Sequence, residues 1–402
     1  MENLNTQEFA PEQTQDNLTE ALGIDINSFE EGLSEVEGVD EFTGSVDFDK
    51  FIALPKKSLV YLCRIVEPLT KSSIDAYGKS VHFHCLSNDE VEISYLNTPF
   101  RIKFTIPNKS NKQVRDFSVS LQNLKRLAMQ SFATLILVEE GEEICVGLCE
   151  SLLYLATTPL NHEEFCFDKH ETPLTLDKEA SLYAFRQASK CLGIATRAAE
   201  RVAIVKNNQV YYNTGVFAAS CRSPFTGDST FVIYKQVVDI IALVSELSTA
   251  DINYYQEGES LYISTPEIYL ELVVGDESKA NEFFTPTLQS NLSFNATASI
   301  LNDNLYRILS VVASLDYLSD IVDLEVNPKE LILKINNKGM TKSSEYKFNI
   351  IEGTITQPGS LKVAIPVLRC FLVALGTEAL YDCTEAGLAV QTPNSKFLIR
   401  RT

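Results

Sequence analysis

Phe117-Ser118-Val119-Ser120 running into Leu121–Met129, Phe231-Val232-Ile233-Tyr234 into Lys235–Leu247, and Leu361-Lys362-Val363-Ala364-Ile365 into Pro366–Leu375 are three copies of one pattern. Each is a short strand that switches abruptly from a period of two to a helical period, with alternating strands again beyond it. The copies begin 114 and 130 residues apart, the spacing of a repeated domain and not of a solenoid unit of roughly 20 to 50 residues.

Working outward, each copy is preceded by an amphipathic helix and two or three strands. The first repeat, 45–161, opens with a helix whose face is Leu59, Leu62, Ile65 and Val66, with Pro55 suited to its first turn and Pro68 as its stop. Strands over Ser80–Cys85, Glu90–Leu96 and Phe100–Ile106 follow, separated by polar turns. The second repeat, 171–275, opens with Leu182, Phe185, Ala188 and Leu192 on one helix face, ended by Gly193. The third, 289–402, opens with Ile300, Leu301, Leu305, Ile308, Leu309 and Val312. Polar linkers are expected at 161–171 and 275–289. Alternating strands with one covered face imply antiparallel sheets, and two helices per repeat can cover them. The fold class is therefore α+β, with three tandem domains, each two helices packed on antiparallel sheets.

The chain has 402 residues, 45% of them hydrophobic, and nine cysteines without a C-x-x-C pair. Single cysteines in apolar contexts fit a reducing cytoplasm. No run approaches the roughly 18 apolar residues of a membrane span, and the first residues lack the basic and apolar regions of a signal peptide. Net charge is −20, which ordinarily argues against a nucleic-acid partner. Its distribution weakens that objection. Residues 1–49 hold 14 Asp and Glu and no Lys or Arg, so the remainder carries 40 acids against 34 bases. The segment 1–44 reads as a disordered acidic tail, either a solubilising leader or, through short apolar stretches such as Leu18–Ile26, a docking element.

The apolar helix faces are consumed by packing, so the informative residues lie opposite them. Those faces carry Lys56, Lys57 and Arg64, then Lys125 and Arg126, Arg186 and Lys190, Lys235, Arg307, and Arg369. Every expected helix of an acidic protein presents a base. Arg186 and Lys190 are four residues apart and Lys57 and Arg64 seven apart, so each pair shares a helix face. A single Lys or Arg on a solvated helix is ordinary; recurrence over three repeats is what makes the set informative.

With these features in place, residues 50–402 resemble a DNA sliding clamp of the three-domain bacterial and phage type, the processivity subunit of a replicative polymerase. The segment Val210-Tyr211-Tyr212-Asn213-Thr214-Gly215-Val216-Phe217-Ala218 is similar to the family's strand and Ala-Thr-Asp-Gly-His-Arg-Leu-Ala-like turn, with Val216 and Phe217 in place of His and Arg. The third repeat is also similar, in Val322–Val326, Glu330–Ile335 and the last strand Lys396–Thr402. The resemblance implies a head-to-tail homodimeric ring with helices lining a central hole, double-stranded DNA bound without sequence preference, and polymerase and clamp loader as partners. It implies DNA contacts from Lys57, Arg64, Lys125, Arg126, Arg186, Lys190, Lys235, Arg307 and Arg369. It also implies a partner-binding pocket built from Thr214, Gly215, Val216, Phe217, Leu398, Ile399, Arg400 and Arg401, made more apolar by Phe217. The expected setting is the cytoplasm of a bacterial or phage-infected cell. Scattered bases suit the task, since a sliding ring needs a non-specific phosphate field and no base-edge readout.

Catalytic chemistry is not expected, nor is a cofactor or a metal. Gly78-Lys79-Ser80 ends like a phosphate loop, but Ser73 stands where the first glycine is required and a strand follows. His82 and His84 share a strand face beside Cys85 without a second ligand cluster at recognisable spacing. The acids Glu139, Glu140, Glu142 and Glu143 are those of a hairpin turn around Gly141. The competing expectation is a non-enzymatic structural or assembly protein, of viral or other origin, built from duplicated α+β domains. The two are separated by whether the fold gathers the basic helix faces or scatters them.

Overall fold

The structure is a computed structural model that describes residues 49–402 apart from 71–79, 98–99, 109, 111, 131, 149–150, 160–172, 196–200, 228, 285–297, 301–306, 309–310, 312–317, 338–342, 356, 365–366, 368–378, 385–386 and 401–402. The acidic segment 1–44, the helix residues Leu301, Leu305, Leu309 and Val312, and the site residues Arg369 and Arg401 lie outside the described residues.

The first repeat begins with β1 (Phe51–Pro55), α1 (Lys56–Thr70), β2 (Ser80–Cys85), β3 (Glu90–Asn97) and β4 (Phe100–Pro107). It continues with β5 (Phe117–Ser120), α2 (Leu121–Ala128), β6 (Thr134–Glu140), β7 (Glu143–Leu148), β8 (Ser151–Leu155) and β9 (Thr157–Pro159). The second begins with β10 (Leu174–Thr175), α3 (Lys178–Ile194), β11 (Val202–Lys206), β12 (Gln209–Asn213) and β13 (Phe217–Arg222). It continues with β14 (Phe231–Tyr234), α4 (Lys235–Leu247), β15 (Asn253–Glu257), β16 (Ser260–Ser264), β17 (Ile268–Val273) and α5 (Glu277–Phe283). The third contains β18 (Ala298–Ile300), β19 (Leu318–Val326), β20 (Glu330–Asn337), β21 (Ser343–Gly353) and β22 (Gly359–Ala364), then β23 (Leu380–Thr384), β24 (Gly387–Thr392) and β25 (Ser395–Arg400).

Among the described residues all strand pairs are antiparallel and make three sheets, ordered β1-β6-β7-β8, β10-β15-β16-β17-β4-β3-β2-β5-β9, and β14-β11-β12-β13-β25-β24-β23-β18-β21-β20-β19-β22. The two larger sheets each join strands of neighbouring repeats, through β17 on β4 and β25 on β13. Alternate residues such as Val81, Phe83, Ile93, Tyr95 and Ile102 point into the main core with the α1 residues Leu59, Leu62, Ile65 and Val66. Ser120 caps α2 by accepting from the Asn123 N–H at 3.2 Å, and Asp177 caps α3 by accepting from the Ala180 N–H at 3.0 Å.

Four sequence expectations need correction. Pro68 does not stop α1 but lies inside it, close enough to the end that the missing N–H interrupts little of the ladder. Pro55 closes β1, paired with Thr134, immediately before the helix. Ile300 belongs to strand β18 and not to an opening helix; β18 has three residues and, like the short edge strands β1 and β10 that precede α1 and α3, is too brief to show a clear period. The linker expected at 275–289 contains α5, capped by Asp276, which accepts from the Lys279 N–H at 3.0 Å. α5 buries Ala280 with Val202, Ile204, Tyr211, Ala218, Val232, Ala389 and Leu398 as a second core. Those strand residues alternate with ones in the main core, so α5 covers the sheet face opposite α3 and α4.

Candidate functional site

The helices form a continuous layer. α1 packs on α2 and on α4, and α4 packs on α3, so the layer crosses from the first repeat to the second. Together these four helices carry nine Lys or Arg against four Asp or Glu, in a chain of net charge −20. The fold therefore gathers seven of the nine sequence-derived bases, Lys57, Arg64, Lys125, Arg126, Arg186, Lys190 and Lys235, onto one layer. Arg307 is exposed in a helical segment of the third repeat.

These bases are not equivalent. Lys57 and Arg126 are exposed, Arg64 and Arg186 are half-buried, and among the described residues no ion pair engages any of the four. Lys125 Nζ donates to Glu67 Oε1 at 2.6 Å across α1 and α2. Lys235 Nζ donates to Asp239 Oδ1 and Oδ2 at 2.6 and 2.5 Å, and Ser189 Oγ of α3 donates to the same carboxylate at 2.6 Å. Lys56, beside them, donates to the Gln130 carbonyl at 2.7 Å.

The second expected site is built where β25 pairs with β13. Phe217 faces Ile399 and Ala218 faces Leu398 in the ladder, so the turn Thr214–Val216 and the last strand meet. The Arg400 N–H donates to the Val216 carbonyl at 3.0 Å and its guanidinium to the Gly215 carbonyl at 3.4 Å. Gly215 takes a positive φ of 81°, a backbone that explains the glycine. Phe217, however, does not line a surface: it is fully buried, with its ring centroid 6.4 Å from Tyr212 and 5.9 Å from Phe397. Thr214, Leu398 and Ile399 are buried too, which leaves Gly215, Val216 and Arg400 as the accessible part of the set among the described residues.

Other reactive groups are held inert. The six described cysteines are free and buried, and burial pushes the Cys63, Cys85 and Cys221 thiols up to about 12. His82 is buried beside Ser118 Oγ at 3.2 Å and burial pulls it down to about 4. His84 Nδ1 lies 2.6 Å from Asp116. Among the described residues no three His, Cys, Asp or Glu side chains come together as a metal site, and no helix is long and apolar enough to cross a membrane.

No protein-family model matches the sequence, and no curated protein matches it. Solved structures do. The Helicobacter pylori beta clamp bound to a DNA ligase peptide aligns with a TM-score of 0.66 at 12% identity, covering 88% of this chain and 99% of that one. The Bacillus subtilis DNA polymerase sliding clamp aligns with a TM-score of 0.66 at 10% identity, covering 88% and 98%. The Pseudomonas aeruginosa DNA polymerase III subunit beta aligns with a TM-score of 0.63 at 10% identity, covering 88% and 99%. The chain has the sliding-clamp fold.

Within this clamp fold the internal repeats define a joint. The hairpin pairs Glu140–Glu143, Glu257–Ser260 and Thr384–Gly387 place the copies in register, and the next ladder makes Leu155, Leu272 and Ile399 equivalent. Two residues earlier stand Leu153, Leu270 and Phe397. From Phe117, Phe231 and Leu361, the ladders Phe83–Ile93–Phe104, Val205–Val210–Cys221 and Leu324–Leu333–Tyr346 make Phe104, Cys221 and Tyr346 equivalent. The joints Phe104↔Ile268 and Cys221↔Ser395 then use the same positions in the same register. Two strands of this kind stay unfilled among the described residues. They are β8, the edge of its sheet, and β21 over Ser343–Asn349, which pairs with β20 on one side only. Leu270 and Phe397 are both 0% exposed at their joints, whereas Leu153 is 56% exposed, beside Tyr154 at 68%.

Proposed function

We propose that this protein is a DNA sliding clamp: two copies close head to tail around duplex DNA and hold a replicative polymerase on its template. The observation that carries this function is the charge of the helix layer, net positive in a strongly acidic chain and continuous across two repeats. A phosphate field without base-reading groups attracts duplex DNA while leaving it free to move. Acidic outer surfaces discourage binding elsewhere.

Closure uses the empty joint. Repeating the observed register pairs β8 of one copy with β21 of the next, placing Leu153 opposite Ser344 and Ser151 opposite Tyr346. An exposed edge with apolar side chains is a pairing site, and head-to-tail symmetry fills both ends of each chain. The three tandem domains are 45–161, 171–275 and 289–402, and the ring works in the cytoplasm of a bacterial or phage-infected cell. Polymerase and loader dock by a short peptide at the β13–β25 joint, on the surface of Gly215, Val216 and Arg400.

Charge reversal tests the DNA contact. Arg64→Glu, Arg126→Glu and Arg186→Glu should each flatten the log–log salt dependence of DNA association by about 0.9 for every phosphate that is no longer neutralised. Lys329→Glu, in the exposed turn between β19 and β20, makes the same change in net charge away from both the helix layer and the closing strand. Equal weakening by all four substitutions would reduce the effect to net charge and remove the helix layer from the interface.

A further inference from the structure

Two of the bases in the helix layer are engaged by carboxylates, and their geometry is not what helix stability alone requires. Asp239 lies four residues after Lys235, the less favourable order for an i,i+4 pair on a helix. It is nevertheless fixed from a second helix, by the Ser189 hydroxyl at 2.6 Å. Glu67 is the only acid on α1 and reaches across to Lys125 on α2, which carries no acid of its own. Partly exposed ion pairs contribute roughly 0 to 1 kcal/mol, so neither is needed to hold the layer together. What each carboxylate does is occupy an ammonium group that would otherwise meet a phosphate.

We propose that Glu67 and Asp239 are built-in competitors for DNA phosphate: they hold Lys125 and Lys235 back from the duplex and set the affinity of the helix layer below what its bases could give. This rests on the DNA contact proposed above. A clamp must stay on DNA topologically and still translocate, and each added phosphate contact is a barrier to every step. The four unengaged bases Lys57, Arg64, Arg126 and Arg186 supply the attraction, and the two engaged lysines are a reserve removed from it.

Neutral isosteres test it in the full chain. Glu67→Gln and Asp239→Asn keep the shape and free one lysine each, so each should steepen the log–log salt slope for binding to a short duplex by about 0.9, and both together by about 1.8. Each freed lysine then adds about 3.5-fold to the ratio of affinities at 50 and 200 mM salt, by the same slope. Diffusion along the duplex should slow in the same order. Glu259→Gln is the control: its partner Lys279 sits on α5, on the other face of the sheet, and the net charge changes equally. Slopes for Glu67→Gln and Asp239→Asn no steeper than for Glu259→Gln, in variants with unchanged thermal stability, would overturn the proposal while leaving DNA binding by the parent chain intact. A parent chain with no salt-dependent DNA binding at all would overturn the underlying function instead.

Discussion

Shortening Leu153 to alanine attacks the joint proposed between copies without touching either internal joint. Full burial of a leucine side chain is worth about 1.5–3 kcal/mol. With 56% of Leu153 still exposed in the single chain, roughly half of that remains to be gained on closure, and a two-copy ring closes two such joints. Leu153→Ala should therefore weaken dimerisation by about 1.5–3 kcal/mol, or roughly 10- to 150-fold in dissociation constant. Sedimentation equilibrium over a concentration series reads this directly. Leu86→Ala, at a leucine 44% exposed just beyond β2, controls for the loss of surface apolar area and should leave the constant unchanged. The register adds a second arm: cysteines at Leu153 and Ser344 should oxidise to a covalent closed dimer, since directly opposed strand residues lie within disulfide reach. An unchanged dissociation constant for Leu153→Ala, together with no cross-link, would refute pairing through β8 and β21.

Three other outcomes follow from the structure. Phe217→Ala should destabilise the protein by about 3–5 kcal/mol, because the ring is enclosed between Tyr212 and Phe397; thermal unfolding checks this, and a mild effect would return Phe217 to the surface. His82 is held at about 4 by burial, below its ordinary value near 6.5, so the unfolded chain takes up its proton first as pH falls. Its contribution is present above pH 6.5 and lost between 6.5 and 4, amounting to about 3 kcal/mol, so His82→Asn should flatten the fall in denaturant stability across that window relative to the parent chain. Removing Arg400–Thr402 should abolish polymerase stimulation while dimers persist by sedimentation; stimulation equal to the parent's would place the partner site away from the β13–β25 joint.

Much of the fold is legible locally. The strand-to-helix switches at Phe117 and Phe231 stand where the pattern puts them, because a change from period two to helical period is written in consecutive residues. Strands β2, β3 and β4 fall within a residue of their expected ends for the same reason. What depends on tertiary contacts is not legible in this way. The polar stretch around Glu277–Phe283 reads as a linker, since its one buried residue is Ala280 and its role depends on Phe283 and Phe284 packing against a distant sheet. Phe217 looks like a surface substitution when set beside the family's arginine, and only the pairing with β25 shows that Phe397 encloses it. The basic residues of the helix layer could be named from sequence, but not the pairing across helices: Glu67 and Lys125 are 58 residues apart.

Retention on DNA of different topology tests the central claim most directly. Protein loaded onto a nicked circular plasmid and passed through a sizing column at moderate salt should remain with the circle, and should be lost once a single cut makes the plasmid linear. Equal retention on circular and linear DNA would mean binding by surface contacts alone, and would contradict a ring that encloses the duplex.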